Sequence, residues 1–247
     1  MPLQSGDKLG PYAILAPIGA GGMGDVYRTT DPRLRRDVAI KVCAAQFSER
    51  SEREAQAIVA LNHPNVCQPY DLGPNCPVME CLDGTPLKGP LPVEKSLEYA
   101  GQVASALDAA HPKGITHRDL KPGNILVTLS GIKLLDFGIA LLSRNSQPTT
   151  TGETAAIGMT EAGTILGTAA CMSPEQAVAK RADARSDIFS FGVVLYEMLS
   201  GRRAFSGETA IATMAAIVQV EPKPLDIPAE VARVVVRCRP KSPAERF

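Results

Sequence analysis

Short apolar and β-branched runs alternate with polar residues through the first part of the chain. Their composition favours β-strands, and a cluster of glycines separates the first two runs. We therefore predict an antiparallel hairpin, a third strand and two shorter strands in one small sheet. The predicted strands occupy residues 12–15, 26–28, 38–42, 66–72 and 78–81. One helix is predicted at 51–61, because Ala55, Ile58 and Leu61 recur there at helical spacing.

The pattern becomes mainly helical after Asp83, where we place the boundary between two lobes. The domain at 12–247 then consists of a small β lobe with one helix, at 12–83, and a larger helical lobe, at 84–247. A proline-rich connector leads to a long helix that ends at Gly114. Its predicted buried face carries Leu97, Ala100, Ala104, Leu107 and His111. Strands followed by helices indicate an α+β fold.

Beyond the long helix, a second hairpin and three more helices are predicted. Two short apolar runs flank Ser130-Gly131, which has the composition of a tight turn. Residues 143–164 are rich in Ser, Thr and Gly and have the composition of a surface loop. The predicted helices occupy residues 186–199, 208–220 and 229–238.

Composition limits the classes of protein that the chain can represent. With 247 residues, of which 45% are hydrophobic, it can bury a sizeable core. The 26 acidic residues balance the 26 basic ones, so no bulk charge attracts nucleic acid or an anionic membrane surface. The longest apolar stretch, at 189–199, is too short to cross a bilayer, and the N-terminus lacks a secretory signal. We expect a cytoplasmic chain without a membrane segment or a nucleic-acid partner.

The cysteines are scattered along the chain without a paired spacing or a zinc-type histidine pattern. They are Cys43, Cys67, Cys76, Cys81, Cys171 and Cys238. We interpret them as buried, reduced thiols and assign them neither a metal nor a disulfide.

Glycines at 19–24 have the spacing Gly-x-Gly-x-x-Gly. The same spacing occurs in dinucleotide-binding turns, where a helix follows the last glycine directly. Here the next residues, 26–28, favour a strand, so we predict a hairpin whose backbone N–H groups can approach phosphate oxygens. The alternatives are a dinucleotide-dependent oxidoreductase and an ordinary glycine hairpin.

Lys41 lies on the third predicted strand, on the same face as Ala39. A lysine on a half-buried sheet face is costly unless its ammonium group meets an anion. Phosphate oxygens are one such partner, and Glu54 on the predicted helix is another. Taken alone, Glu54 has the alternative of a solvated helix charge.

The stretch 117–124 reads His-Arg-Asp-Leu-Lys-Pro-Gly-Asn, and an Asp-Phe-Gly triplet begins twelve residues after its Asn. Asp119 is a candidate to accept a hydroxyl proton, and Lys121 can neutralise charge on a transferred phosphoryl group. Asn124 and Asp136 offer an amide oxygen and a carboxylate to Mg²⁺, with Mn²⁺ as a second possibility. Together these residues predict phosphoryl transfer to a hydroxyl group.

These motifs make the chain similar to the eukaryotic-type protein serine/threonine kinases, and most similar to their bacterial members. The resemblance covers residues 12–247 and also rests on Ser173-Pro174-Glu175, Asp187, Phe191-Gly192 and Arg246. It implies a two-lobe protein-kinase-like fold that binds ATP and Mg²⁺ between its lobes. It also implies transfer of the γ-phosphoryl group to Ser or Thr hydroxyls of protein substrates.

The resemblance implies a role for each residue of the site. The implied nucleotide-binding residues are Ile18, Gly19, Gly21, Gly22, Gly24, Val26, Ala39, Lys41, Glu54, Met79, Glu80, Cys81 and Leu126. Among them, Lys41 contacts the phosphates and forms an ion pair with Glu54. The backbone groups of Glu80 and Cys81 contact the adenine edge. Met79 controls the pocket behind the adenine. The implied catalytic residues are Asp119, Lys121 and Asn124, and the implied metal ligands are Asn124 and Asp136.

Arg118, next to the candidate base, needs an anion to hold its guanidinium group. A phosphate on the following segment would provide one and order that segment. We expect autophosphorylation there, with Thr160 and Thr164 as the main candidate sites and Thr149, Thr150, Thr151 and Thr154 as further candidates. By resemblance, Thr168 lies near the base and the acceptor residue. A homodimer is a possible arrangement for autophosphorylation in trans.

Several features depart from the family pattern. The stretch 73–81 is short and contains Pro77, which lacks a strand donor. The connector at 83–92 is compressed, and a serine replaces the alanine of the usual Ala-Pro-Glu. Arg246 is expected to form an ion pair with Glu175, but Arg246 is the second-to-last residue of the given sequence. A final helix that stops there would fray, so we expect either a piece of a longer protein or a large lobe of marginal stability.

Two alternatives to a protein kinase stay open at this point. One is a catalytically weak or inactive kinase-like scaffold or ATP-binding module, which the shortened connector and the chain end favour. Intact Lys41, Asp119, Asn124 and Asp136 argue against it. The other is a small-molecule kinase of related fold, which the threonine-rich loop does not favour.

Overall fold

The structure is a computed structural model that describes residues 3–21, 24–42, 58–72, 76–137 and 169–247. Its strands are β1 (Lys8–Leu9), β2 (Tyr12–Gly21), β3 (Gly24–Asp31), β4 (Arg36–Val42), β5 (Pro69–Leu72), β6 (Pro77–Glu80), β7 (Thr85–Pro86), β8 (Ile125–Thr128) and β9 (Gly131–Leu134). Its helices are α1 (Val93–Ala110), α2 (Pro174–Ala177), α3 (Ala184–Ser200), α4 (Ala210–Gln219) and α5 (Ala229–Cys238). Three short 3-10 turns lie at His111–Lys113, Pro122–Asn124 and Pro243–Glu245.

A six-stranded antiparallel sheet, in the order β1-β2-β3-β4-β6-β5, contains the strands of the N-terminal part. β2 and β3 form the predicted glycine hairpin, with Gly21 opposite Gly24. The expectation of a half-buried face at Lys41 is wrong, since every residue from Val38 to Lys41 is at most 4% exposed. β4 is buried on both faces because apolar side chains pack on each side of this sheet.

Two details of this sheet differ from the predicted strands. β5 begins only at Pro69, whereas Val66 forms an isolated parallel bridge with Leu134 of β9. The Cys67 N–H also donates to the Leu134 carbonyl at 2.8 Å, so this segment joins the two sheets. Pro77 is tolerated as the first residue of β6: it lies opposite Leu72 of β5, and the pairing of β6 with β4 starts one residue later, at Val78.

A three-stranded sheet, β7-β8-β9, lies with the helices in the second half of the chain. β8 and β9 form the hairpin that the apolar runs around Ser130-Gly131 predicted. β6 ends in the first sheet and β7 begins in the second, on either side of Asp83. The arrangement is the predicted two-lobe α+β fold, while the boundary at Asp83 itself stays a prediction.

The buried face of α1 is displaced by about one residue from the predicted one. Leu97 is 43% exposed, and Ala104 is also exposed. The residues that α1 buries are Ser96, Tyr99, Ala100, Val103, Ala106, Leu107 and Ala110. Alanines occur all around this helix, so the apolar pattern discriminates poorly between faces, and packing against α3 and β9 selects the buried one.

α3 is the central helix of this lobe and is capped at both ends. The Asp183 side chain accepts a hydrogen bond from the Arg185 N–H at the start, and Gly201 ends the helix with a left-handed φ of 66°. Its apolar side chains fill the main core together with α1. The buried first turn of α3 presents Asp187, only 1% exposed, to the loop before β8.

α2 is attached to the last residues of the chain by a buried ion pair. Arg246 Nη1 and Nη2 lie 2.8 and 2.9 Å from Glu175 Oε1 and Oε2, as the sequence predicted. The expected final helix up to Arg246 is not formed, since α5 ends at Cys238 and a 3-10 turn follows. The Arg246 guanidinium also donates to backbone carbonyls, including that of Arg185, and its side chain is 0% exposed.

The described cysteines are free thiols, and no described helix is long and apolar enough to cross a membrane. Cys67, Cys171 and Cys238 are buried, and burial raises the pKa of each thiol to about 12. The expectation of burial is wrong for Cys76 and Cys81, which are half-buried. Cys43 lies outside the described residues.

Candidate active site

The glycine hairpin and β4 lie where the first sheet meets the second, and we call the region in which Lys41 of β4 contacts Asp136, after β9, the cleft. Gly19 lies opposite Val26 in the register of β2 and β3, with Ile18 49% exposed beside it. Gly24 has a positive φ of 120°, which favours glycine at the turn. A strand follows the last glycine directly, so the structure excludes the helix that a dinucleotide-binding turn requires.

An apolar cluster lies on the face of β4 that carries Lys41. It joins Ala39 and Met79 to Val26, three of the residues expected at the adenine. The further members of the cluster are Cys67, Leu82 and Leu135. Leu126, another of the expected nucleotide-binding residues, lies half-buried on β8 next to Gly84 of the connector.

The connector after β6 is fixed to the second sheet by an ion pair. Lys133 Nζ on β9 lies 2.7 and 3.0 Å from the two carboxylate oxygens of Glu80. The Glu80 N–H donates to the Gln68 carbonyl at 2.9 Å, and the Glu80 carbonyl accepts a bond from the Cys67 thiol at 3.7 Å. A carbonyl oxygen has two lone pairs, so the second one of Glu80 remains for the adenine edge. Burial raises the pKa of the neighbouring Cys81 thiol, which therefore stays protonated at neutral pH.

Lys41 and Asp136 meet directly in the cleft. Lys41 Nζ lies 2.7 Å from Asp136 Oδ2, and the two side chains are 5% and 19% exposed. These residues are far apart in the sequence, on β4 and after β9. The Asp136 backbone has a left-handed φ of 56°, a conformation that is uncommon for non-glycine residues, although aspartate adopts it more readily than most.

Asp119, Lys121 and Asn124 form a connected group. Asn124 Nδ2 donates to the Asp119 carbonyl and carboxylate at 2.8 and 2.9 Å, and Lys121 Nζ lies 2.9 Å from Asp119 Oδ2. The 3-10 turn at Pro122–Asn124 brings Asn124 back towards Asp119. A carboxylate with two donors on one oxygen has a defined orientation in the cleft.

The backbone of this loop is held by Asp187. Its carboxylate accepts hydrogen bonds from the N–H groups of His117 and Arg118, both at 2.8 Å, and contacts His111 Nε2 at 2.9 Å. The His117 ring is fully buried and packs on Phe137, with ring centroids 4.7 Å apart. The loop that carries Asp119 is therefore attached to both α3 and the segment that carries Asp136.

Asn124 and Asp136 have the chemistry of a divalent-cation site. The Leu135 N–H donates to the Asn124 carbonyl at 2.8 Å, so Asp136 follows a residue that is bonded to Asn124. Because the Asn124 amide nitrogen donates to Asp119, its amide oxygen is the atom that remains for a cation. A carboxylate and an amide oxygen are hard donors that fit a small divalent cation with further oxygen ligands.

Some expected site residues lie outside the described part of the chain, so their placement stays a prediction. They are Gly22, Glu54, Gly138, Thr160, Thr164 and Thr168, together with the lower-ranked threonines at 149–154. Arg118 is described and half-buried, and its buried Nε has no hydrogen-bond partner among the described residues. This guanidinium is thus compatible with the predicted anion.

Three contacts of the site did not emerge from the sequence motifs. Leu82 joins the apolar cluster, Lys133 binds Glu80, and Gln176 donates to the Arg118 carbonyl at 2.8 Å. For Gln176 a signal exists, because Ser-x-x-Gln at a helix start is a capping-box sequence. For Lys133, strand alternation predicts a side chain on the face of β9 that does not carry the buried Ile132, but it does not indicate which residue Lys133 contacts.

Comparison with known proteins identifies one family. Residues 12–247 match the protein kinase domain. The serine/threonine-protein kinase PknB of Mycolicibacterium smegmatis is 37% identical over 262 residues, which covers 96% of this chain and 40% of that protein. The serine/threonine-protein kinase pkn2 of Myxococcus xanthus is 40% identical over 236 residues, which covers 88% of this chain and 28% of that protein. The chain thus spans less than half the length of either relative.

Solved structures show the same fold. The crystal structure of the Mycobacterium tuberculosis PknI kinase domain is 26% identical to this chain, with a TM-score of 0.74. The match covers 100% of this chain and 94% of that one.

Proposed function

Because the chain belongs to the protein kinase domain family, we propose that it is a protein serine/threonine kinase that transfers the γ-phosphoryl group of ATP to Ser or Thr hydroxyls of proteins. One observation carries the proposal. The ion pair of Lys41 with Asp136 and the group of Asp119, Lys121 and Asn124 lie on one continuous set of contacts, linked by the bond between Asn124 and Leu135.

Each of these residues has a distinct role in the proposed reaction. Asp119 accepts the proton of the attacking hydroxyl group, and the Lys121 ammonium neutralises charge that develops on the transferred phosphoryl oxygens. Lys41 orients the nucleotide phosphates. Asn124 and Asp136 would hold Mg²⁺, or Mn²⁺ in its place, and the bound cation would supply positive charge to neutralise the phosphates. Positioning and electrostatics account for most of the rate in such a site.

The adenine part of the nucleotide is expected against the apolar cluster behind the hairpin. Val26, Ala39 and Met79 provide its apolar contacts, and the Glu80 carbonyl and Cys81 backbone face its polar edge. Leu126 completes the pocket from the second lobe. The glycines at 19, 21, 22 and 24 cover the phosphates, and Ile18 covers the pocket entrance.

Regulation by phosphorylation is part of the proposal. Arg118 offers a half-buried guanidinium whose Nε lacks a partner among the described residues. A phosphate on Thr160 or Thr164 would satisfy it, and Thr168 is placed near the acceptor by resemblance. Mass spectrometry after incubation with ATP and Mg²⁺ should find phosphate at Thr160 or Thr164 in active protein. A fully active but unmodified enzyme contradicts this part of the proposal.

Partners and location follow from the same chemistry. We propose protein substrates, a cytoplasmic location where ATP is available and thiols stay reduced, and pairing of two copies for autophosphorylation in trans. Pairing predicts that the initial autophosphorylation rate rises with the square of protein concentration. A rate proportional to protein concentration indicates reaction within one copy.

Autophosphorylation with radiolabelled ATP tests the function directly. The wild-type protein should incorporate phosphate with Mg²⁺ or Mn²⁺, whereas Lys41→Met and Asp119→Asn should lose at least about 100-fold in rate. Equal incorporation by all three proteins refutes the assignment. A wild-type protein that binds ATP in a thermal-shift assay but transfers no phosphate is instead the kinase-like scaffold.

A further inference from the structure

The side-chain amide of Gln176, on α2, makes two kinds of hydrogen bond. Its oxygen accepts from the N–H and the hydroxyl of Ser173, both at 3.0 Å, and completes a capping box at the start of α2. Its nitrogen donates at 2.8 Å to the carbonyl of Arg118, in the loop that carries Asp119. The amide oxygen thus bonds at the start of α2, and the amide nitrogen bonds to the loop 117–124 that carries Asp119, called the catalytic loop below.

Arg118 has a backbone conformation that requires support. Its φ is +64°, in the left-handed region that residues with a side chain rarely adopt. Such conformations persist where neighbouring groups over-determine them. Here Asp187 accepts the Arg118 N–H at 2.8 Å and Gln176 donates to the Arg118 carbonyl, so side chains from α3 and α2 hold this residue from both ends.

The carbonyl of Arg118 and the N–H of Asp119 belong to one planar peptide unit. The bond from Gln176 therefore sets the orientation of the unit that leads into Asp119. On the opposite side of this unit, the Asp119 N–H donates to His117 Nδ1 at a long distance of 3.4 Å. Rotation of the unit would turn the Asp119 carboxylate away from its partners Asn124 and Lys121.

We propose that Gln176 is a positioning residue for phosphoryl transfer, whose amide N–H holds the peptide unit between Arg118 and Asp119 and thereby orients the base. This inference rests on the proposed kinase function, in which Asp119 accepts the hydroxyl proton. Gln176 acts through the loop and needs no contact with ATP. Its loss should therefore lower kcat and leave the affinity for ATP unchanged.

Two substitutions separate the two halves of the amide. Gln176→Glu keeps an oxygen for Ser173, since Ser-x-x-Glu is itself a capping box, but replaces the donor to Arg118 with an oxygen. Gln176→Lys does the reverse, because its ammonium can donate to Arg118 but offers Ser173 no acceptor. The exposed Gln219, the last residue of α4, provides matched controls with the same charge changes, Gln219→Glu and Gln219→Lys.

Steady-state phosphorylation of dephosphorylated casein gives kcat and KM for ATP, with proteins matched in phosphorylation state by intact mass. We expect Gln176→Glu to lower kcat by about 10- to 100-fold, with KM for ATP and Tm close to those of Gln219→Glu. Gln176→Lys should keep most of the wild-type kcat while its Tm falls. Wild-type kcat in Gln176→Glu, or equal losses of kcat in both variants, overturns the inference.

Hydrogen exchange of the segment 115–124 distinguishes this inference from the proposed function. If the wild-type protein transfers no phosphate, the kinase function fails, yet the contact is still tested. Backbone amides of this segment should exchange faster in Gln176→Glu than in Gln219→Glu, and Gln176→Lys should resemble the wild type. Equal exchange in Gln176→Glu and Gln219→Glu overturns the positioning role even in an inactive protein.

Discussion

At the scale of single residues, the candidate site depends on charges that are buried in pairs. Lys41 is only 4% exposed, and an isolated ammonium group at this depth would be strongly destabilising. Asp136 offsets that cost at 2.7 Å, and the same carboxylate is the proposed cation ligand. Lys41 and the cation therefore depend on one carboxylate.

Asp136→Asn tests this shared role. The change preserves the size of the side chain and one oxygen but removes the negative charge, so we expect the Mg²⁺-dependent part of the ATP-induced rise in Tm to disappear. Phosphoryl transfer should fall by about 100-fold or more. Thermal unfolding with ATP, with and without Mg²⁺, gives the measurement.

The control for this experiment is Asp108→Asn, at an exposed position on α1. It makes the same change of charge away from the cleft and should leave the response to Mg²⁺ intact. An undiminished Mg²⁺ effect in Asp136→Asn would show that the cation binds elsewhere.

At the scale of elements, the four-residue helix α2 is fixed mainly by its side chains. A helix of this length has little stability of its own. Glu175 ties it to Arg246 and to the Ser186 hydroxyl, and Gln176 ties it to the catalytic loop. Burial acts to raise the pKa of Glu175, but the hydrogen bonds from Arg246 and Ser186 outweigh it and lower that pKa to about 2.

Glu175→Gln should destabilise the fold in a pH-dependent manner. The folded pKa of Glu175 lies below its ordinary value of 4.5, so its contribution is fully present above about pH 4.5 and is lost as the pH falls towards 2. Near neutral pH we expect the free energy of unfolding to fall by about 3 kcal/mol, because Arg246 keeps a buried charge without its partner. Urea unfolding at several pH values measures the difference in the free energy of unfolding between the variant and the wild-type protein. A constant difference between pH 7 and pH 3 contradicts the assignment.

Two helical glycines should respond in opposite directions to substitution by alanine. A Cβ at Gly192 of α3 would lie 2.5 Å from Cys238 Cβ and 2.9 Å from Arg239 Cγ, so α3 and α5 touch at a point that has no room for a side chain. A Cβ at Gly101 of α1 would meet nothing within 4 Å.

We therefore expect Gly192→Ala to lower the free energy of unfolding by about 1–3 kcal/mol through overpacking. Gly101→Ala should raise it by about 0.5–1 kcal/mol, because alanine favours the helix. Urea unfolding of both variants provides the comparison. A stabilised Gly192→Ala would mean that α3 and α5 can separate without cost.

At the scale of the whole molecule, a few side chains connect the two sheets across the cleft. Lys41 with Asp136 is one such contact, and Glu80 with Lys133 is another, behind the connector. The Glu80 and Lys133 side chains are 25% and 15% exposed, so their attraction is only partly screened by solvent. This ion pair holds the end of β6, where the Glu80 carbonyl is expected to contact the adenine.

Lys133→Met should weaken ATP binding indirectly, through the loss of its ion pair with Glu80. Removal of the ammonium leaves the Glu80 carboxylate partly buried and unpaired, so we expect the Kd for ATP to rise by about three- to tenfold. Calorimetric titration measures that constant. The exposed Lys113→Met is the control, and the charge swap Glu80→Lys with Lys133→Glu should recover most of the affinity. An unchanged Kd in Lys133→Met would show that the pair does not position the connector.

Much of the fold was predictable because its signals are local. The glycine hairpin, the turn at Ser130-Gly131 and the helices of the second half follow from turn residues and apolar spacing over a few positions. The buried face of α1 was not predictable, because an alanine-rich helix packs almost equally well on adjacent faces. Val66 was assigned to the wrong sheet because a short apolar run contains no information about which edge it pairs with.

The sequence by itself determined most of the helices and strands, the protein kinase family and the residue types of the site, since the chemistry of a motif such as 117–124 lies within eight consecutive residues. Tertiary structure decided the pairs: Lys41 with Asp136, Glu80 with Lys133, and Gln176 with Arg118. These partners are 95, 53 and 58 positions apart. A charged or polar side chain at such a distance has many possible partners, and only the packing of sheets and helices around it leaves one within hydrogen-bond reach.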